Sequence, residues 1–314
     1  MSRTPVFILS LPRSGSTLVQ RVLAAHPEVE TVAEPWIFLP HAYALREQGV
    51  VAEYTHPIAV RAVREFVGRL PGGEAEYREA LASFVRDLYE RAAPGPGRYF
   101  VDKTPRYQFV VDELFATFPD ARIVFLWRNP LAVVASIAET WCGGKWNVDR
   151  WRGDLLGLGR LFDASIQHAE RSIAVRFEDL VSGGEDPWAR LFAFLDLTFD
   201  PEVLTGFRHV RLEGTMGDPT GVERYDRISS EPADKRRTTL GTPWRRRWCR
   251  RYLDRIGDDR LRGMGYDADA LRSSLEDLDN RLGPLASDLV HGAAWSALQA
   301  RKRAAFRWAA PRVR

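Results

Sequence analysis

Short apolar runs rich in β-branched residues alternate along this chain with stretches whose apolar positions recur every three or four residues. Residues 6–11, 99–101, 122–127 and 173–177 have the length, composition and flanking turns of buried strands. Residues 17–25, 112–118, 130–139 and 187–195 have helical spacing, with Pro130 and Pro187 suited to first turns and Asn129 and Asp186 to caps. The alternation predicts an α/β fold: a mostly parallel central sheet flanked by helices, with ligands beyond the carboxyl ends of the strands. Two helical insertions interrupt it. Residues 57–92, broken at Leu70-Pro71-Gly72-Gly73, read as a helical pair, and residues 147–171 as a helix with Trp151, Leu155, Leu158 and Leu161 along one side. Each insertion either walls a pocket or pads the sheet. Residues 205–243, rich in glycine, proline and charge, keep no period and predict a lid or substrate-ordered segment. The C-terminal third returns to helices, and we expect one domain over residues 1–288.

The first predicted strand breaks into Pro12-Arg13-Ser14-Gly15-Ser16-Thr17 before helical spacing resumes. A junction of this composition suits phosphate. Its N–H groups and helix dipole attract an anion, Gly15 lets the backbone come close, Ser14, Ser16 and Thr17 add hydroxyls, and Arg13 adds a forked cation. Against the Walker pattern G-x-x-x-x-G-K-[ST], Ser10 stands for the first glycine and Ser16 for the lysine. The lysine that neutralises β- and γ-phosphates is therefore absent, which argues against an ATPase and for a shorter anionic group held without the usual magnesium. The alternative is a strand-turn-helix corner that binds nothing.

Composition narrows the classes. At 314 residues and 45% hydrophobic content the chain can bury a full core without staples. Two cysteines, Cys142 and Cys249, are too few for a disulfide framework or a zinc cluster and point to a reducing compartment. The first apolar stretch is too short for a secretory signal, and no window approaches a membrane span, so we expect a cytoplasmic protein. The net charge is +3, but the tail over residues 289–314 carries six cations and no acid, leaving −3 on residues 1–288. That body offers no general field for nucleic acid. The tail interleaves Trp295, Leu298, Phe306 and Trp308 with its cations, so that peripheral membrane or partner contact stands beside disorder as a reading.

Further candidates lie at predicted strand ends. Arg128 follows the run 122–127, Asn129-Pro130 opens a helix, and Ser136 falls two turns along it, so both side chains are placed to meet one anion. Lys103, in VDKTP, is a mobile point charge at the same edge. Glu34, in TVAEPW, follows a short β-like stretch and can reach that edge too. Taken singly, Arg128 also reads as a salt-bridge partner and Glu34 as a solvated loop acid. Trp36, Phe38, Tyr43, Trp141 and Trp146 are candidates to line an acceptor pocket, though aromatics more often fill cores. Residues 244–253 read as a helix with Trp244, Trp248 and Leu253 on the packed face and Arg246, Arg247 and Arg250 in solvent.

Taken together, PRSGST with its following helix, HPEVETVAEPW, DKTP and RNPLAVVASI resemble the sulfotransferases that use 3′-phosphoadenosine 5′-phosphosulfate (PAPS), in particular bacterial enzymes similar to tyrosylprotein sulfotransferases. The likeness covers residues 5–195, and residues 224–253 also look like bacterial members. It implies a P-loop sulfotransferase architecture in which Arg13, Ser14, Gly15, Ser16 and Thr17 cradle the 5′-phosphosulfate, and Arg128 and Ser136 hold the 3′-phosphate. Lys103 and Arg13 would then support the departing sulfuryl group, and Glu34 would take the proton of a hydroxyl acceptor on a carbohydrate, lipid, phenol or protein tyrosine. Ser230 and Lys235 fall in the stretch that closes over the nucleotide in that family. The resemblance requires no metal, since a sulfuryl group carries less charge than a terminal phosphoryl. Asp102 and His26 are next in line as base. An ATP-dependent small-molecule kinase and a non-catalytic nucleotide-binding module are the competing readings.

Overall fold

Strand β1 (Thr4–Ser10) is buried along both faces, as expected of an apolar strand inside a parallel sheet. In the computed structural model, which describes residues 3–212, 228, 238–280, 282–288 and 290, it lies at the centre of five parallel strands. The others are β2 (Val29–Thr31), β3 (Tyr99–Asp102), β4 (Arg122–Trp127) and β5 (Ser172–Arg176), in the order β2-β3-β1-β4-β5. Val6 pairs with Val101 and Phe7 with Asp102 on one side, and Ile8 with Val124 on the other. All the strands therefore point their carboxyl ends to one edge.

Helices alternate with the strands: α1 (Ser16–Ala24) lies between β1 and β2, α2 (Phe38–Ala42), α3 (His56–Val67) and α4 (Gly73–Ala92) between β2 and β3, α5 (Val111–Thr117) between β3 and β4, and α6 (Pro130–Cys142) and α7 (Arg152–Gln167) between β4 and β5, while α8 (Phe177–Ser182), α9 (Asp186–Phe194) and α10 (Val203–Gly206) follow β5. The short α2, α8 and α10 are additions to the predicted pattern. On one face of the sheet Val6 and Ile8 meet Leu18, Val22, Trp188, Leu191 and Phe192. On the other, Phe7 packs on Tyr107 and Phe118, which also receive Phe38. Burial of each such side chain contributes about 1.5–3 kcal/mol. No helix of the described residues is long and apolar enough to cross a membrane.

Three local expectations are corrected. The short β-like stretch before Glu34 is a fifth strand, Val29–Thr31, left out of the four buried runs because Glu30 and Thr31 are polar on a short edge strand. Asp186 begins α9 rather than capping it, and no side chain caps that end. The insertion at 147–171 is a shorter α7 bounded by 3₁₀ turns at Val148–Trp151 and Ala169–Arg171.

The chain divides into two units, residues 1–127 with 160–230, and residues 128–159 with 231–314. The first holds the sheet. The second contains α6, which Asn129 caps by accepting from the N–H groups of Leu131 and Ala132, together with α11 (Pro243–Ile256), α12 (Asp258–Gly263) and α13 (Ala268–Glu276). On α11 the buried stripe is Arg245, Cys249, Tyr252, Leu253 and Ile256, while Trp244 is 39% exposed. Leu253 is packed and Arg247 and Arg250 are exposed as predicted, but Trp244 is not on the packed face, and the buried position goes instead to Arg245, whose guanidinium donates to Asp288 at 2.7 and 2.8 Å.

Candidate functional site

The turn after β1 owes its shape to two left-handed residues, Arg13 at φ 67° and Gly15 at φ 86°. Gly15 is the more constrained. A Cβ there would lie 2.2 Å from the Phe177 ring, so both backbone and space demand glycine. Helix α1 begins at Ser16 with no side-chain cap and no acid in its first turn, and Ser14, Ser16 and Thr17 are buried around that end. The N-terminus of α1 thus presents a positive dipole end with hydroxyls and Arg13 close in the chain.

The adjacent strand β3 ends in Asp102, and Lys103 follows it at the same edge. Its ammonium donates to Glu34 Oε1 at 2.7 Å, with side chains only 2% and 10% exposed. Glu34 comes from the segment after β2, the strand on the far side of β3. Its other oxygen accepts from the Trp36 indole at 3.1 Å. Trp36 itself is left-handed at φ 56°, and the Arg106 guanidinium lies 5.8 Å from its ring. The parallel topology thereby brings together two residues that are 69 positions apart in the chain.

Behind the pair is a polar cluster with no signature in the sequence. Asp102 has no exposure and accepts from three hydroxyls: Thr104 at 2.8 Å, Tyr107 at 2.7 Å and Tyr89 of α4 at 2.5 Å. Burial raises its pKa to about 6, against the opposing pull of those hydrogen bonds and of Lys103. Burial and the neighbouring carboxylate push Tyr89 and Tyr107 well above the usual phenol range. Only the threonine of DKTP hints at this arrangement, because Tyr89 reads as one more position on the buried stripe Ala82, Val85, Tyr89 near the end of α4.

Arg128 and Ser136, both buried, belong to the second unit, Arg128 before α6 and Ser136 within it. Ser230 and Lys235 lie outside the described residues, as do most of the expected lid and the basic tail except Val290. His26 accepts from the Glu28 N–H at 3.2 Å and packs near Phe192, consistent with a structural turn. Phe38 and Trp146 are core residues rather than pocket lining. Among the described residues no cluster of His, Cys, Asp and Glu is arranged to hold a metal ion.

A family model described as the sulfotransferase family matches residues 5–201. The nodulation protein NoeE of Sinorhizobium fredii is 37% identical over 139 residues, 43% of this chain and 31% of that protein. Protein-tyrosine sulfotransferase 1 of Danio rerio is 24% identical over 219 residues, 68% of this chain and 58% of that protein. The chain therefore spans less than two thirds of the length of either relative. A solved sulfotransferase domain from the Curacin biosynthetic pathway aligns at a TM-score of 0.48 and 23% identity, covering 76% of this chain and 97% of that one.

Proposed function

The chain belongs to the sulfotransferase family, and from that premise we propose that it moves a sulfuryl group from PAPS to a hydroxyl on a carbohydrate, lipid, phenol or protein tyrosine. The observation that carries this reading is the Lys103–Glu34 pair, 2.7 Å across with the lysine buried and the glutamate partly so, at the sheet edge from which the glycine turn of the adjacent strand also departs. The residues fit an anionic donor: the first turn of α1 has no acid to repel it and no side chain competing for its N–H groups.

In this reading Arg13, Ser14, Gly15, Ser16 and Thr17 hold the 5′-phosphosulfate. Arg128 and Ser136 are assigned to the 3′-phosphate, and Ser230 and Lys235 to closure over the nucleotide. The bound donor supplies an activated sulfuryl group. Glu34 takes the proton of the acceptor hydroxyl, a step that contributes about 10²–10⁴-fold. Lys103 and Arg13 keep positive charge where negative charge grows on the leaving oxygen. With two cations and a helix end so placed, we expect transfer to persist in the presence of a chelator. A reducing cytoplasm suits the two free thiols, Cys142 and Cys249.

Adenosine 3′,5′-bisphosphate is expected to raise the melting temperature of the wild-type and Glu34→Gln proteins but not of Arg128→Ala. Radiolabelled transfer from PAPS into a cell lysate is expected from the wild type and lost in Glu34→Gln. No melting shift for the wild type, or full transfer by Glu34→Gln, would overturn the reading.

A further inference from the structure

Asp102 cannot touch an acceptor. It is fully buried at the end of β3, its carboxylate enclosed by the hydroxyls of Thr104, Tyr107 and Tyr89. An ionised carboxylate only accepts, so all three hydroxyls must donate to it. That fixes which way their lone pairs face. The Thr104 oxygen accepts from the Trp36 backbone N–H, and the Tyr107 oxygen from the Phe38 backbone N–H, each at 3.3 Å. These two amides belong to the short segment that carries Glu34. From the same segment the Trp36 indole turns back onto Glu34 Oε2, while Lys103, the next residue after Asp102, holds Oε1.

We propose that Asp102 is a positioning residue for the Glu34–Lys103 pair: by orienting the Thr104 and Tyr107 hydroxyls it pins the segment from Glu34 to Phe38 against the end of β3. The inference rests on the proposed role of Glu34 as proton acceptor. Two linkages meet at the pair. One runs along the chain from Asp102 to Lys103, the other through Thr104 and Trp36 to Glu34. An amide in place of the carboxylate would offer one accepting atom and one donating group, so at least one of the three hydroxyls would lose its acceptor. The Glu34 carboxylate would then sample positions away from Lys103, and turnover would fall without loss of donor binding.

The test uses the full chain with Asp102→Asn, Thr104→Val and Thr104→Ser, the last keeping the hydroxyl. Hydrogen exchange is expected to quicken about tenfold or more at the Trp36 and Phe38 amides in Asp102→Asn and at the Trp36 amide in Thr104→Val, and to stay near wild type in Thr104→Ser. The maximal rate of radiolabelled transfer from PAPS into lysate is expected to drop about 10- to 100-fold in the first two variants. The KM for PAPS and the melting shift with adenosine 3′,5′-bisphosphate should stay within about twofold, and Thr104→Ser should recover the rate. Unchanged exchange, or an unchanged maximal rate, in a folded Asp102→Asn protein would overturn the inference. If that variant does not fold, the same outcomes in Thr104→Val against Thr104→Ser decide it. A wild type that neither binds the bisphosphate nor transfers sulfate would instead overturn the sulfotransferase reading, and this role with it.

Discussion

The end of β3 and the start of α11 each bury an aspartate completely, yet surround it with opposite chemistry. Asp288 faces the Arg245 guanidinium through both carboxylate oxygens and takes a further bond from Thr242 at 3.0 Å. Two further guanidinium N–H groups donate to the carbonyls of Thr239 and Gly144. Fork and carboxylate match in geometry and in charge, and the unit is closed on itself. Asp102 is held by hydroxyls that carry no charge, with Lys103 contributing only at longer range. A carboxylate neutralised by a fork is a structural rivet, whereas one solvated by hydroxyls directs its neighbours.

The largest effect should come from breaking the closed unit. Asp288→Ala leaves the buried Arg245 without its counter-charge, and a loss of about 3–5 kcal/mol is expected in chemical denaturation. Replacing both partners with apolar residues of similar size, as in Arg245→Met with Asp288→Leu, should recover most of it. A single-variant loss below about 1 kcal/mol would show that the pair does not hold the second unit together.

Next in size is a pH effect confined to Asp102. Its folded pKa of about 6 lies above the ordinary 3.8, so the folded protein binds this proton more tightly than the unfolded chain. Stability from this group is therefore greatest at low pH and declines as pH rises through the window from about 4 to about 6, by ~3 kcal/mol in all. Unfolding free energies of the wild type and Asp102→Asn, measured from pH 4 to 7, should diverge by that amount, with the wild type losing ground as pH rises. Parallel curves would mean that the hydroxyls already solvate the charge as well as water does.

What the sequence made legible follows from where the information resides. The junction at Gly15 is written locally, as an apolar run, a turn and a resumed helical period, and it folds as that pattern implies. Lys103 and Glu34 could be singled out because each follows a strand-like stretch, and a parallel sheet delivers strand ends to one edge. The Asp102 cluster was not legible, since Tyr89, three residues before the end of α4, continues the buried stripe of Ala82 and Val85, and that spacing places the ring without naming a partner for its hydroxyl. Arg245 was hidden differently. In a run of arginines, composition favours a solvated face, and only the position of Asp288, 43 residues later, decides which one is buried.

The smallest effect separates the two sites most cleanly, because it applies the same change to both. Thr104→Val and Thr242→Val each remove one hydroxyl from a buried aspartate while keeping the β-branched shape. At Thr242 the aspartate retains its guanidinium, and the loss is mainly that of a helix cap, the Arg245 N–H bond, for about 1 kcal/mol. At Thr104 no guanidinium remains to share the charge, and the variant also frees the Trp36 amide, so about 1.5–3 kcal/mol is expected. The measurement is the difference between the two unfolding free energies at neutral pH, where Asp102 is ionised. Equal losses would mean that the missing counter-charge is immaterial, and the contrast between rivet and director would fail. A larger loss at Thr104 that shrinks below pH 6, as Asp102 takes up its proton, would tie the contrast to the charge itself.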